Sequence, residues 1–405
     1  MGKPLRPKDG DRARDLQLRD GLAFESGFVD RCARREFIQL GFAGFLVSFM
    51  YSHNALFAVV FAREGFDLHR IGLLLSLYAI PVVAVSFFSG AIAARIGILA
   101  CCRLSVILLV IGFFSLRFTA GAFWPALASR FVQGAGQGLF VVSFVTYAQS
   151  RLSPTRFVYL LGLFASMMPL AQAFAPPFGA FILNSFGAQT LFLEGTIPAC
   201  LGLLMTFGLR SLPKPGGERG LDFSAAWRRN RIIPLAAVFV SGTLVGFTGA
   251  YLAAALEARA LPIGAFFFSS TTAMFAIRFL AMRRFGAADK RLLVGTGFVL
   301  EALSFFLVTF AGQSWLIVVA GLLFGMGYSV VYPVLSAWMS EGIAPARRAG
   351  PQALLNTLFN LGSFAMPYPE TLLIAHFGYG GTAAALAVFG TVSAMVLFAM
   401  ALRGR

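Results

Sequence analysis

Long apolar runs alternate with short polar breaks along the whole chain, and the length of the runs sets the first expectation. Crossing a bilayer as a helix takes about 20 residues at 1.5 Å rise each. Runs of that size cover residues 37–61, 71–94, 100–119, 122–148, 157–182, 188–209, 232–256, 262–283, 292–311, 314–339, 352–375 and 382–402. The pattern predicts an all-α membrane protein with twelve transmembrane helices, numbered here as spans one to twelve.

Composition supports this, because 58% of the 405 residues are hydrophobic and only 12% are charged, against roughly 25% charged in an average soluble domain. The net charge of +16 raises the question of a nucleic-acid partner, and the placement of the charge answers it. Starting from an inside N-terminus, 27 of the 33 Lys and Arg residues fall in segments on that side and four on the other, while Arg130 and Arg278 lie inside spans. The positive-inside rule then puts both termini in the cytoplasm, and the chain is expected to be an inner-membrane protein. The basic excess reads as topology, not as a nucleic-acid footprint.

Residues 1–36 mix nine basic with seven acidic residues and no apolar core, so they read as a partly disordered cytosolic tail rather than a signal peptide. Cys32, Cys101, Cys102 and Cys200 have neither CxxC nor metal-ligand spacing, so no disulfide, metal or cofactor is expected.

The two halves repeat. Pro154, Arg156, Pro176 and Gly187 reappear 191 positions later as Pro345, Arg347, Pro367 and Gly378, and the same offset carries Gly134 and Gly136 onto Gly325 and Gly327. An even number of spans per half gives both halves the same orientation. The expected organisation is a tail over 1–36, a six-helix half over 37–210, a linker over 211–231 and a second half over 232–405. The linker holds two prolines and three glycines, and its Trp227, Arg228, Arg229 and Arg231 are expected on the inner leaflet.

The fourth span contains "RFVQGAGQG", Arg130 to Gly138. At 100° per residue Arg130, Gln137 and Gln133 share a polar arc about 60° wide, with Gly134 and Gly138 on an adjoining smooth face. The glycines suit a close helix neighbour. An arginine at a depth of about 12 Å costs on the order of 3 kcal/mol to insert unless paired or hydrated. Arg130 therefore either ties helices together through backbone carbonyls or, the preferred reading, lines a central cavity and meets an anionic substrate group or a titratable partner.

Local patterns resemble the major facilitator superfamily over residues 37–402. "GAIAARIGILACCR" is similar to the family's loop motif at Gly90, Arg95 and Gly97, with Ala94 where the family has an aspartate. "RFVQGAGQG" matches the Arg-x-x-Gln-Gly-x-Gly pattern at Arg130, Gln133, Gly134 and Gly136, and "APPFGA" resembles an exporter segment at Pro176, Pro177 and Gly179. The resemblance implies two six-helix halves that rock about a midplane site, with no enzymatic activity. It also implies a carboxylate in the first span near the arginine, yet that span has none; His53 is its titratable side chain. His53 reads as a proton carrier, a neutral substrate ligand or a bland hydrogen-bonded histidine.

Family members line the pore with spans one, four, seven and ten, which nominates Asn54, Gln137, Thr248, Tyr251, Tyr328 and Tyr332. Asn356, Asn360 and Ser363 form a stripe on span eleven that joins them. Three acids fall inside spans, and each needs a reason. Glu301 and Arg278 lie at depths that suit a buried ion pair with a structural or gating role. Glu370 follows two prolines, where local unwinding puts it against water, and it is the preferred carboxylate for proton coupling. Glu194 is expected to reach water or cap a neighbour.

These features favour a monomeric secondary transporter of the lipid bilayer that exports an anionic or zwitterionic solute, such as a metabolite, metallophore or drug, against protons. Uptake or facilitated diffusion of a sugar or organic anion stays open, as does a membrane scaffold built on a transporter fold.

Overall fold

The computed structural model describes residues 28–29, 31–153, 157–212, 231–280, 289–343 and 349–403. Most of the expected linker, the basic residues Arg228 and Arg229, and the loop positions Pro345 and Arg347 lie outside them. The described residues are almost entirely helical: apolar segments in lipid must satisfy their backbone internally, and a helix does so within one segment. An isolated bridge from Phe28 to Leu152 is the nearest thing to a strand among the described residues.

In chain order the helices are α1 (Arg31–Ser52), a 3-10 turn (His53–Leu56), α2 (Phe57–Arg63), α3 (Leu68–Ser76), α4 (Ala79–Ile96), α5 (Ile98–Thr119), α6 (Phe123–Gln149), α7 (Phe157–Phe186) and α8 (Ala188–Thr206). The second half follows with α9 (Ile232–Ala250), α10 (Leu252–Glu257), α11 (Ile263–Leu280), α12 (Lys290–Phe310), α13 (Ser314–Ser340), α14 (Ala349–Ala365) and α15 (Pro367–Arg403). Among the described residues ten helical stretches are long and apolar enough to cross a membrane. The last of these, Gly350–Leu402, runs for 53 residues through a break at Gly378, and Ile263–Arg278 is a shorter apolar helix.

Tight reversals need a residue without a Cβ. Gly97 (φ 93, ψ 153) joins α4 to α5, Gly187 (φ 83, ψ 174) joins α7 to α8, and Gly378 (φ 68, ψ 177) breaks α15. That backbone region is open almost only to glycine.

Glycines also set the helix spacing. A Cβ on Gly134 would lie 2.7 Å from Pro81 of α4, and one on Gly136 would lie 2.7 Å from the Leu109 nitrogen of α5. The positions 191 residues later behave alike: Gly325 meets the backbone of Ser270 in α11, and Gly327 would come within 2.5 Å of the Gly297 carbonyl of α12. Each central helix, α6 and α13, thus presses bare backbone against two neighbours.

α1 begins six residues before the expected first span. Glu36 is buried there and bonds Arg151 at 2.7 Å, the Tyr147 hydroxyl at 3.2 Å and the Arg210 amide at 3.3 Å. Charge marked Arg31–Glu36 as tail in the sequence, but the carboxylate is tied down by α6 and the end of α8.

Residues 31–212 and 231–403 hold each other at the end of the bundle remote from Arg31. There Arg63 pairs with Glu257, Gly72 packs on Thr371, the Ser76 hydroxyl donates to the Ala365 carbonyl at 3.0 Å, and Tyr368 meets His69 at 3.2 Å.

Candidate functional site

Arg130 sits about two turns into α6 and is 3% exposed. Two interrupted helices give it its partners. α3 ends at Ser76, which leaves the Leu74 carbonyl available, and it accepts from Arg130 Nε at 3.4 Å. The 3-10 turn after α1 carries Asn54, whose Oδ1 accepts from Arg130 Nη1 at 2.7 Å; the same Nη1 donates to Gln133 Oε1. Asn54 is itself aimed by its Nδ2, which donates to the Tyr51 carbonyl at 2.7 Å.

Two rings complete the cage, since the guanidinium carbon lies 4.8 Å from the Phe57 centroid and 4.1 Å from that of Tyr78. Among the described residues no Asp or Glu reaches Arg130. Neutral acceptors and ring faces disperse a charge without cancelling it. A buried cation without a counter-ion is held at a cost of several kcal/mol, and it attracts any anion that can reach it.

Of the other expected residues, Gln133 and Gln137 share α6 with Arg130, while Tyr328, Tyr332, Asn356 and Asn360 belong to the second half, where the first three share a cluster with Phe359. Gln133 is fully buried, and Gln137, a turn further along α6, has a carboxamide oxygen with no partner. Tyr78 lies against the guanidinium, and Tyr51 stands close to Arg130, to Tyr78 and to Tyr328 of the second half. Tyr328 stacks between Phe324 and Phe359, and Tyr332 packs edge-on against Phe359 with its hydroxyl 3.5 Å from Asn356 Oδ1. Asn360 is half-buried on the same helix. Tyr51, Tyr78 and Phe57 went unnoticed in the sequence because aromatic residues in an apolar run look like any core position. The available signal was their spacing around Asn54 and before Pro81.

Other residues lie elsewhere. His53 points away from Arg130, with Nε2 3.1 Å from Glu194 Oε2 of α8. His53 and Asn54 are consecutive in the 3-10 turn and so project about 120° apart, Asn54 towards Arg130 and His53 towards α8. Glu194 accordingly faces a histidine rather than water or a helix end.

Tyr251 is buried and works as a tie: its hydroxyl donates to the Pro367 carbonyl at 3.1 Å and lies 2.5 Å from the Thr371 hydroxyl. Tyr251→Phe is expected to lower stability by about 1 kcal/mol, seen as a lower melting temperature, and to leave ligand affinity of the folded protein unchanged. Thr248 donates to the Val245 carbonyl of its own helix at 2.7 Å. Ser363 lies against α9, where a Cβ on Gly246 would be 2.8 Å from its carbonyl oxygen.

The expected Arg278–Glu301 pair does not form. α13 packs on both α11 and α12 and stands between them. Both Glu301 oxygens and Arg278 Nε lack a hydrogen-bond partner, and the Glu301 stem lies against Gly327. Glu370 follows a break at Met366 as expected, yet it is 2% exposed rather than against water, and both of its oxygens lack a partner.

Among the motif positions, Gly179 makes room for the His53 ring and Pro177 packs on Gly264 of α11. Pro176 lies inside α7. Gly90 borders open space, Arg95 is exposed at the end of α4, and Gly97 makes the turn described above.

Residues 40–281, more than half of the chain, match the family described as Major Facilitator Superfamily. Over 135 residues the chain is 27% identical to a methylenomycin A resistance protein of Streptomyces coelicolor, a match covering 32% of this chain and 27% of that relative. Among solved structures, a POT family transporter in complex with 5-aminolevulinic acid superposes with a TM-score of 0.76 at 14% identity, over 91% of this chain and 96% of that one. The nucleoside transporter NupG gives 0.69 at 14% identity, over 90% and 98%. A human organic anion transporter (TETRAN) gives 0.66 at 17%, over 90% and 99%. These structures share the fold.

Proposed function

The chain belongs to the Major Facilitator Superfamily, and from that premise we propose that it is a secondary active transporter that moves a small anionic or zwitterionic organic solute by alternating access. The observation that carries this reading is Arg130: a buried cation held by Asn54, Gln133 and two rings, with no acid against it among the described residues. A carboxylate or phosphate entering between Tyr51, Tyr78 and Tyr328 would supply the missing charge.

The proposed architecture has twelve spans in two parallel six-helix halves, with both termini in the cytoplasm and the linker between them. It divides the long C-terminal helical stretch at Gly378 and includes the shorter helix Ile263–Arg278. Contact between the halves at the end remote from Arg31 supports reading this state as one open towards the termini, the side from which an exported solute would approach Arg130. The direction we propose is export in exchange for protons. A relative that confers methylenomycin A resistance supports export, and Glu370 and Glu301, buried without partners, each need a water, a counter-charge or a proton.

The test is a binding panel of carboxylates, amino acids, phosphate esters and methylenomycin A on purified protein. Flux of the best ligand is then measured in proteoliposomes with and without an imposed pH gradient. Acceleration by the gradient is the expected result; flux that ignores it would leave facilitated diffusion.

A further inference from the structure

The contact between His53 and Glu194 takes no part in the Arg130 site, and its geometry has its own chemistry. His53 is 0% exposed. Its ring meets Phe49 of α1 and Phe113 of α5 edge-on, and it fills the space left by Gly179 of α7, where a Cβ would lie 2.7 Å from Nε2. Gly195 of α8 closes the other side, where a Cβ would lie 3.5 Å from Nδ1.

The ring is fixed at Nδ1, which lies 2.9 Å from the Phe49 carbonyl oxygen and 3.3 Å from that of Met50. A carbonyl only accepts, so Nδ1 carries hydrogen and a neutral ring would present a lone pair at Nε2. That lone pair would face Glu194 Oε2 at 3.1 Å, off the line of an aligned hydrogen bond, and neither atom has another hydrogen-bond partner. A carboxylate against a lone pair at this distance is repulsive. One proton removes the conflict, either on Nε2 beside a carboxylate or on the acid beside a neutral ring.

We propose that His53 and Glu194 hold one exchangeable proton between them and form the coupling site of the carrier, separate from the anion site. This rests on the proton-coupled reading above. No other charged group bonds either partner among the described residues. On α5, Arg117 is a turn beyond Phe113 and donates to the Gln189 carbonyl at 3.4 Å; on α2 and α10, Arg63 and Glu257 pair with each other; on α6, Arg130 is engaged by Asn54. The Glu194 side chain is 17% exposed and that of His53 is 0% exposed, so Glu194 is the outer member of the pair.

The link to the anion site is one peptide long. His53 and Asn54 are consecutive in the 3-10 turn, Asn54 accepts from Arg130, and the turn packs on α9 and α10 of the second half. When the proton leaves, Nε2 and the carboxylate repel, Glu194 withdraws, and the turn is freed to move Asn54 off Arg130. Proton occupancy and anion binding thereby act on the same turn. The proton enters and leaves as H⁺, and no bond to carbon changes.

The test uses the full chain in lipid nanodiscs, with protons as the only ligand. Of three histidines, His53, His69 and His376, the first is assigned in ¹⁵N-histidine spectra by its loss in His53→Gln. Its resonance is expected to respond to pH in the wild type and to respond differently in Glu194→Gln, which removes the acid that shares the proton.

Spin labels at Gly121→Cys and Gly312→Cys, in a Cys32→Ser background, read the separation of the two halves. The distance should respond to pH in the wild type, fail to respond in Glu194→Gln and recover in part in Glu194→Asp. A His53 resonance that is the same in the wild type and in Glu194→Gln at every pH would overturn the proposal, as would a Glu194→Gln protein whose distance responds to pH like the wild type. If His53 titrates but the wild-type distance ignores pH, the proton-coupled reading itself falls and takes the coupling role with it.

Discussion

Arg130→Met is expected to reduce anion flux by about 100-fold or more while leaving the melting temperature unchanged or higher. The two halves of this result come from the same imbalance. Methionine keeps the length of the stem and removes a charge whose partners in the fold are neutral: Asn54, Gln133, the Leu74 carbonyl and two rings. Burying a charge costs several kcal/mol of desolvation per ion, and removing it relieves that cost. Asn54 and Gln133 keep each other, since Gln133 Nε2 donates to Asn54 Oδ1 at 3.4 Å. The transported anion, by contrast, loses its counter-charge, and a loss of about 2.8 kcal/mol is a factor of 100. An arginine whose role was to tie helices would give the reverse: a marked fall in stability, and flux per folded molecule preserved. Arg130→Lys keeps the charge without the planar fork that serves Asn54 and Gln133 together, so it should recover part of the flux at most.

Gly325→Ala should prevent correct assembly of the second half, because its methyl would fall on the Ser270 carbonyl oxygen of α11. Gly136→Ala makes the equivalent test in the first half, where the Leu109 nitrogen and Ser105 carbonyl stand 2.7 and 2.8 Å from the added carbon. Backbone cannot rotate aside as a side chain can, so each helix pair must separate. Overpacking of this kind costs about 1–3 kcal/mol and sometimes more. Gly249→Ala is the control: nothing stands within 4 Å of its added carbon, and alanine is the better helix former by up to about 1 kcal/mol. Melting curves and size-exclusion profiles in detergent should place Gly325→Ala and Gly136→Ala well below the wild type and Gly249→Ala at or above it.

Helices were the most legible part of the sequence, because bilayer thickness imposes a length that an apolar run either meets or does not. The start of α1 was not, since the charges of Arg31–Glu36 conceal a carboxylate buried by Arg151 and Tyr147. In the candidate site, the spacing of Arg130, Gln133 and Gln137 on one helix face was readable from 100° per residue. Three-dimensional neighbours were not. Whether Arg278 meets Glu301 depends on α13 standing between α11 and α12, and whether His53 or Asn54 meets Arg130 depends on four residues of 3-10 turn inside the first span. Neither feature leaves a pattern in hydrophobicity. Tyr251 was legible as a polar group in span seven, but its partner, the Pro367 carbonyl, follows from how α9 and α15 cross.

The account stands on Arg130 awaiting a negative charge from the solute, and the direct measurement is equilibrium binding of one organic carboxylate and its uncharged amide to wild type and Arg130→Gln. The wild type should prefer the carboxylate by about tenfold or more, a difference of at least roughly 1.4 kcal/mol, and Arg130→Gln should bind the two alike. A carboxylate that binds Arg130→Gln as tightly as it binds the wild type would contradict the account.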